Sequence, residues 1–251
     1  MKKLLGISSL LLVAMLIGCQ RPVKMDKVLI PVNYEADLYV INEIGKVELS
    51  KANNDELSIE TAITIDSKDN SVKKDIIDNV IILAKEEENQ ITLGAYAKND
   101  ITTSIWDWAK KKYDSVNISV QYTIRVPDKV KAINVRNNIG DIRAKNIKGD
   151  LDLLTDIGSI DLSNISVSEH SFIQSNVGSI DFDVDSFTNT KDLNVYTGVG
   201  DINLSIPKDT SYNLLGTDSD QEEDTQADNH AVNIRLSAGI GSAKLNGKKI
   251  S

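Results

Sequence analysis

Asn138-Ile139-Gly140-Asp141-Ile142, Asp156-Ile157-Gly158-Ser159-Ile160, Asn176-Val177-Gly178-Ser179-Ile180, Gly198-Val199-Gly200-Asp201-Ile202 and Gly239-Ile240-Gly241-Ser242-Ala243 are five copies of one pattern. Their central glycines are 18, 20, 22 and 41 residues apart, the last interval being about two periods. A half-period copy lies at Lys148-Gly149-Asp150-Leu151, and a diverged early copy at Glu43-Ile44-Gly45-Lys46-Val47. The first position of the five copies holds only Asn, Asp or Gly and the third only Gly, the residues that tolerate positive φ. Because the turn chemistry repeats, the backbone is expected to repeat with it, turning at Gly45, Gly140, Gly149, Gly158, Gly178, Gly200 and Gly241.

Between these turns apolar residues alternate, as in Ile142 and Ala144, Leu151 and Leu153, Ile160 and Leu162, Ile180, Phe182 and Val184, and Ile202, Leu204 and Ile206. Period-2 runs place one face inward and the other toward water. Short strands and glycine turns repeating near every 20 residues predict an all-β fold in which each repeat covers its neighbour's apolar face. The expected body is a β-solenoid, or parallel β-helix-like stack, over residues 117–251; the alternative is an antiparallel β-sandwich whose hairpins use the same glycines. Only the solenoid would stack equivalent repeat positions into ladders.

The preceding segment, 36–116, reads as a mixed, β-rich N-terminal cap that would protect the open end of the stack. Strand-like runs occur at Asp37–Ile41, Lys46–Ser50 and Leu57–Ile65. Val72, Ile76 and Ile77 sit at helical spacing between Asn70 and Asn79. Val80–Ala84 and Gln90–Tyr96 flank the charged run 85–89 as a hairpin.

Residues 1–18 carry Lys2 and Lys3 followed by an apolar run, which is the organisation of a secretory signal. The uncharged stretch Leu4–Cys19 has 16 residues, short of the roughly 20 that a spanning helix needs. Leu16-Ile17-Gly18-Cys19 resembles a bacterial lipobox. That resemblance implies a lipoprotein with acyl chains such as palmitate on Cys19, a tether over 19–35, and a mature body outside the cytoplasm, on the cell membrane surface or the outer membrane.

With 251 residues, 41% hydrophobic and 26% charged, the chain has material for a full core and is too apolar for disorder. Cys19 is the only cysteine, which excludes a multi-cysteine zinc site, an intrachain disulfide and a CxxC redox pair. The net charge of −9 disfavours a nucleic-acid partner held through its phosphates. His170 and His230 are 60 residues apart with no nucleophile motif nearby, and the Gly-x-Gly pairs lack the helix that completes a phosphate-binding fingerprint.

Three segments invite functional readings. Trp106, Trp108, Lys110, Lys111, Lys112 and Tyr113 bring both tryptophans beside three consecutive lysines, a candidate interface patch for headgroups, sugars or anionic polymer, or else a plug for the end of the stack. Asp141, Asp161, Asp181 and Asp201, with Asp150, Asp152, Asp183 and Asp185 nearby, are the best argument for an enzyme, although outward turn and strand positions would serve solubility alone. The acidic stretch 217–230 interrupts the repeats and reads as a loop; Glu223 stands where an EF-hand needs Gly, so it is not one. No metal site, cofactor or catalytic residue is assigned.

The repeats, the alternating strand Ile118–Val126 with the following Pro127, and the Gly-Asp/Ser-Ile turns together resemble the bacterial "putative adhesin" family of exported β-repeat proteins. The resemblance covers about residues 36–247 and implies an extracytoplasmic β-helical module, sometimes tied to envelope-stress functions, with no catalytic residues. The expected function is a lipid-anchored binding or structural module of the cell envelope, not an enzyme, with a glycan or protein partner. A β-helical carbohydrate lyase or hydrolase and an accessory in envelope-stress sensing are the alternatives, and the sequence leaves the oligomeric state open.

Overall fold

The computed structural model describes residues 22–113, 116–215 and 231–250. In chain order its elements are β1 (Lys24–Pro31), β2 (Ala36–Ile44), β3 (Val47–Lys51), β4 (Glu56–Asp66), α1 (Asn70–Asn79), β5 (Val80–Glu87), β6 (Gln90–Ala97), β7 (Asp100–Ser104), α2 (Ile105–Lys112), β8 (Asn117–Val126), β9 (Val130–Ile139), β10 (Ile142–Lys145), β11 (Lys148–Ile157), β12 (Ile160–Val177), β13 (Ile180–Val199), β14 (Ile202–Ser205), β15 (Tyr212–Leu215), β16 (Val232–Ile240), β17 (Ala243–Leu245) and β18 (Lys248–Lys249). The fold is all-β with two short helices, and the described strands form one continuous hydrogen-bonded sheet.

Equivalent positions of successive repeats pair in parallel. After each glycine turn, Val47, Ile142, Ile160, Ile180, Ile202 and Ala243 lie side by side in register. Before it, Ile44, Ile139, Ile157, Val177, Val199 and Ile240 do the same. β12 and β13 each run through both of these sides, bending where Asn164, Glu169 and Asn189 adopt positive φ, which is how the sides join into one sheet. Between the bends a third, shorter side stacks Gly149 on Val167 and Val167 on Phe187. Antiparallel pairing is confined to β1–β4–β8, to β5–β6–β7 and to β17–β18.

The glycines are required by contact as well as by dihedral angle. Gly140 has φ +136°, and a Cβ there would stand 2.0 Å from the carbonyl oxygen of Gly45 in the neighbouring repeat. Gly158, Gly178, Gly200 and Gly241 repeat that contact at 1.9–2.2 Å, each on the carbonyl of the preceding turn glycine. The turns can therefore stack at strand spacing only without side chains.

The carbonyls of Gly45, Gly140, Gly158 and Gly178 are satisfied from inside. Asn42, Asn137, Thr155, Ser175 and Thr197 form one in-register row that is at most 2% exposed. Thr155 Oγ1 donates to Gly140 O at 2.9 Å, Ser175 Oγ to Gly158 O at 2.8 Å and Thr197 Oγ1 to Gly178 O at 2.7 Å, while Asn137 Nδ2 reaches both Gly45 O and Gly140 O. A buried polar row of this kind is tolerated because its donors find acceptors. The rest of the interior is Ile, Leu and Val from every repeat, with Tyr122 and Phe182 the largest buried side chains.

Several boundaries differ from the expectation. Residues 24–31 of the presumed tether are strand β1, paired along its whole length with β4. The division near residue 116 is not a structural one, since β2 pairs with β9 and β3 with β10, and Gly45 belongs to the glycine row. The helix over Asn70–Asn79 and the hairpin β5–β6 lie where the pattern placed them.

Gly140→Ala is expected to destabilise residues 20–251 by on the order of 3 kcal/mol or more in urea unfolding, because strain and a backbone clash add. Gly247→Ala, which meets nothing within 4 Å, is the control and should cost about 1 kcal/mol, the left-handed strain alone.

Candidate binding groove

On the third side, small hydroxyl residues flank each inward apolar one, as in Ser166-Val167-Ser168 and Ser186-Phe187-Thr188. Parallel register lines them up: Lys148 beside Ser166 and Ser166 beside Ser186 form one row, and Ser168 pairs with Thr188 in the next. Ser186 Oγ donates to Ser166 Oγ at 2.8 Å, and Ser168 Oγ to Asp150 Oδ1 at 3.0 Å. The result is a sunken polar strip along the stack. Three adjoining depressions of about 210, 530 and 880 Å³ follow it, sharing Lys148, Ser166, Asp185 and Asn189 between neighbours.

Charge is distributed along this groove in both signs. Asp128 sits between Lys51 at 3.1 Å and Lys148 at 3.5 Å, and the Lys51 hydrogen bond holds its carboxyl below the usual aspartate range. Lys131 reaches Glu35 at 3.5 Å. Asp150 is the exception: burial raises its carboxyl above the ordinary value, the Ser168 hydroxyl opposes the shift, and Glu169 adds to it. Beyond it, His170 Nδ1 meets Asp192 Oδ2 at 2.7 Å, a pairing made by register between residues 22 apart.

The tryptophan–lysine segment is helix α2, capped by Ser104 Oγ accepting from Asp107 N. Ile105 and Ala109 are buried, and both indoles pack partly buried against the core. Trp106 Nε1 donates to Ile118 O at 2.8 Å, and Trp108 meets Tyr113 edge-on at 6.2 Å between centroids. Lys112 lies 4.9 Å above the Trp108 ring and bonds Asp75 of α1 at 2.7 Å; Tyr113 donates to the same carboxylate. These two hydrogen bonds, Lys112 first, pull the Asp75 carboxyl below its usual range. Lys110 and Lys111 stay exposed. The segment thus ties two helices to the sheet with most of its aromatic surface, and presents two lysines outward.

The aspartate series does not form one cluster. Asp161 and Asp181 are neighbours in register, flanked by Arg143 and Asn203. Asp141 and Asp201 lie instead in the glycine turns, where Asp141 Oδ1 accepts from Ser159 N and Asp201 Oδ1 from Ser242 N and Oγ. Even spacing by 20 is misleading because the repeats are 18, 20 and 22 residues long. Among the described residues no group of three or more His, Cys, Asp or Glu is placed to hold a metal ion, and no helix is long and apolar enough to cross a membrane. Cys19 and the acidic stretch 217–230 lie outside the described residues.

No family model matches the chain, and no curated protein matches it. Solved structures do. A "putative cell adhesion protein" of Clostridium sporogenes is similar at 13% identity and TM-score 0.39, covering 88% of this chain and 98% of its own. A "putative adhesin" of Bacteroides fragilis is similar at 12% identity and TM-score 0.38, covering 91% and 100%. A "putative lipid binding protein" of Parabacteroides distasonis matches at 12% identity and TM-score 0.25.

The raised Asp150 has a direct consequence for stability. Its folded-state value lies above the unfolded one, so its contribution favours folding at low pH, where the carboxyl is protonated, and is lost as pH rises through the folded value. Asp150→Asn should therefore raise the urea midpoint at pH 7 and leave it unchanged at pH 3, as read by denaturation at the two pH values.

Proposed function

We propose that the chain is a lipid-anchored, extracytoplasmic binding module of the bacterial cell envelope, built as a β-solenoid, and that the polar groove of its third side takes a linear envelope polymer. The groove is the observation that carries this reading. It runs across successive coils and offers hydroxyl and carboxylate acceptors together with lysine donors at strand spacing, a pattern suited to a chain of hydroxylated or charged units. The in-register parallel pairing and the glycine row support the solenoid. Cys19 would carry the anchor: with β1 beginning at Lys24, only about five residues, roughly 17 Å when extended, separate it from the sheet. The body would then sit close to the membrane surface.

The mechanism is display without chemical change. One observation favours a second reading, glycan cleavage: Asp150 is a partly buried carboxyl with a raised proton affinity, inside the groove and near Glu169, which is the environment a general acid requires.

Both readings are tested on residues 20–251, which contain every described element, against peptidoglycan fragments, envelope polysaccharides and anionic lipids, with product release followed by mass spectrometry. Saturable glycan binding without products, weakened at least ten-fold by the pair Lys131→Glu and Lys148→Glu, is the expected outcome. Turnover abolished by Asp150→Asn would establish the enzyme instead.

A further inference from the structure

Lys148 and Asp150 stand on either side of Gly149 and line the same depression of about 530 Å³. Residues two apart on a strand point the same way and are roughly 7 Å apart, so the groove has here a positive wall and a negative wall with bare backbone between them. The floor has to be bare: Gly149 has φ +136°, and a Cβ on it would stand 2.3 Å from Lys131 O. In the next two repeats the same walls are hydroxyls, Ser166 and Ser186 continuing from Lys148, and Ser168 and Thr188 from Asp150. Neither charge is fully matched within the protein. Lys51 and Lys148 reach the one carboxylate of Asp128, at 3.1 and 3.5 Å, which leaves a positive charge over. Asp150 and Glu169 have no cation at ion-pair distance among the described residues. Asp150 is held only by the Ser168 hydroxyl at 3.0 Å. Burial raises its carboxyl; Ser168 opposes the shift, Glu169 adds to it, His170 opposes it and Asp37 adds to it. His170 is itself engaged with Asp192, so a cation in contact with Asp150 is the partner the protein does not supply.

We infer, on the reading of this groove as a polymer site, that the depression over Gly149 takes a zwitterionic repeating unit, with its anionic group at Lys148 and its ammonium at Asp150 and Glu169. Charge selects this class over the others. A polyanion would lie against Asp150, Glu169 and, in the adjoining depression, Asp185. A polycation would meet Lys148 and, in the same depression, Lys131. A neutral chain would take water from both walls and return no opposite charge. A unit carrying an amine and an acid gives each wall a charge-assisted hydrogen bond, and the serine and threonine rows beyond it suit the hydroxyls of the units that follow.

Calorimetric titration of residues 20–251 with oligomers of one sugar backbone separates the classes: carboxymethyl chitosan with amine and carboxylate, its N-acetylated form with carboxylate alone, chitosan with amine alone, and chitin with neither. Carboxymethyl chitosan is expected to bind at least ten-fold more tightly than each of the other three. Asp150→Asn should remove its advantage over the N-acetylated form, and Lys148→Gln its advantage over chitosan. Because Asp150→Asn is expected to stabilise the fold at pH 7, a loss in that variant is not unfolding. Equal affinity for a singly charged or neutral oligomer, weakened by either substitution, overturns the zwitterionic class and keeps the groove as a polymer site. Absence of binding to all four overturns the inference, and binding that neither substitution changes overturns the groove reading with it.

Discussion

Everything in this fold depends on how closely the turns approach one another. Each glycine carbonyl lies about 2 Å from where the next glycine's Cβ would be, so successive repeats can close to hydrogen-bonding distance at that edge only if the position is bare. Once they do, Gly140 N donates to Ile157 O, Gly158 N to Val177 O and Gly178 N to Val199 O, carrying the sheet's bonding through the corner. The buried Thr155, Ser175 and Thr197 hydroxyls then supply the carbonyls with donors from inside. A side chain at the turn would break both sets of bonds together, since the repeats would have to separate.

Stacking by identical register makes each outward position a row, and each row has its own chemistry. One outer face is charged, the third side is a polar groove edged with serine, threonine and lysine, and the turn edge is aliphatic. These rows run parallel to one another, each confined to its own side of the sheet. The two helices and the β5–β6 hairpin lie at the N-terminal end, where α2 is bound to α1 through Asp75 and to β8 through Trp106.

How far the sequence revealed this follows from where its signals are local. The Gly-Asp/Ser-Ile turns and the period-2 runs fix strand, turn and inward face within a few residues, and even the diverged Gly45 copy took its place in the row. What could not be read was lateral position, because repeat length varies. Asp141, Asp161, Asp181 and Asp201 looked equivalent at intervals of 20 and fall on two different rows, and Ser166 and Ser186 gave no sign of sharing a groove until register set Lys148, Ser166 and Ser186 side by side. The corner asparagines, Asn146 and Asn164, carried a signal that the glycines overshadowed: both have positive φ, and Asn164 Nδ2 donates to Asn146 Oδ1 at 2.7 Å. The helix at Ile105–Lys112 is too short for a clear periodicity, and its two tryptophans and three lysines admit both an interface patch and a plug; the indoles lie partly buried against the core.

Spin labels placed pairwise at outward positions on the charged face test the central claim, that equivalent positions of successive repeats stack in parallel register. Labels at Arg143 and Asp161, at Asp161 and Asp181, at Asp181 and Asn203, and at Asp183 and Ser205 should all show strong dipolar broadening, each pair lying on adjacent strands about 5 Å apart. An antiparallel arrangement reverses the direction in which partners shift, so it cannot keep both Asp181 with Asn203 and Asp183 with Ser205 at that spacing. Broadening in only one of those two pairs would contradict the stack.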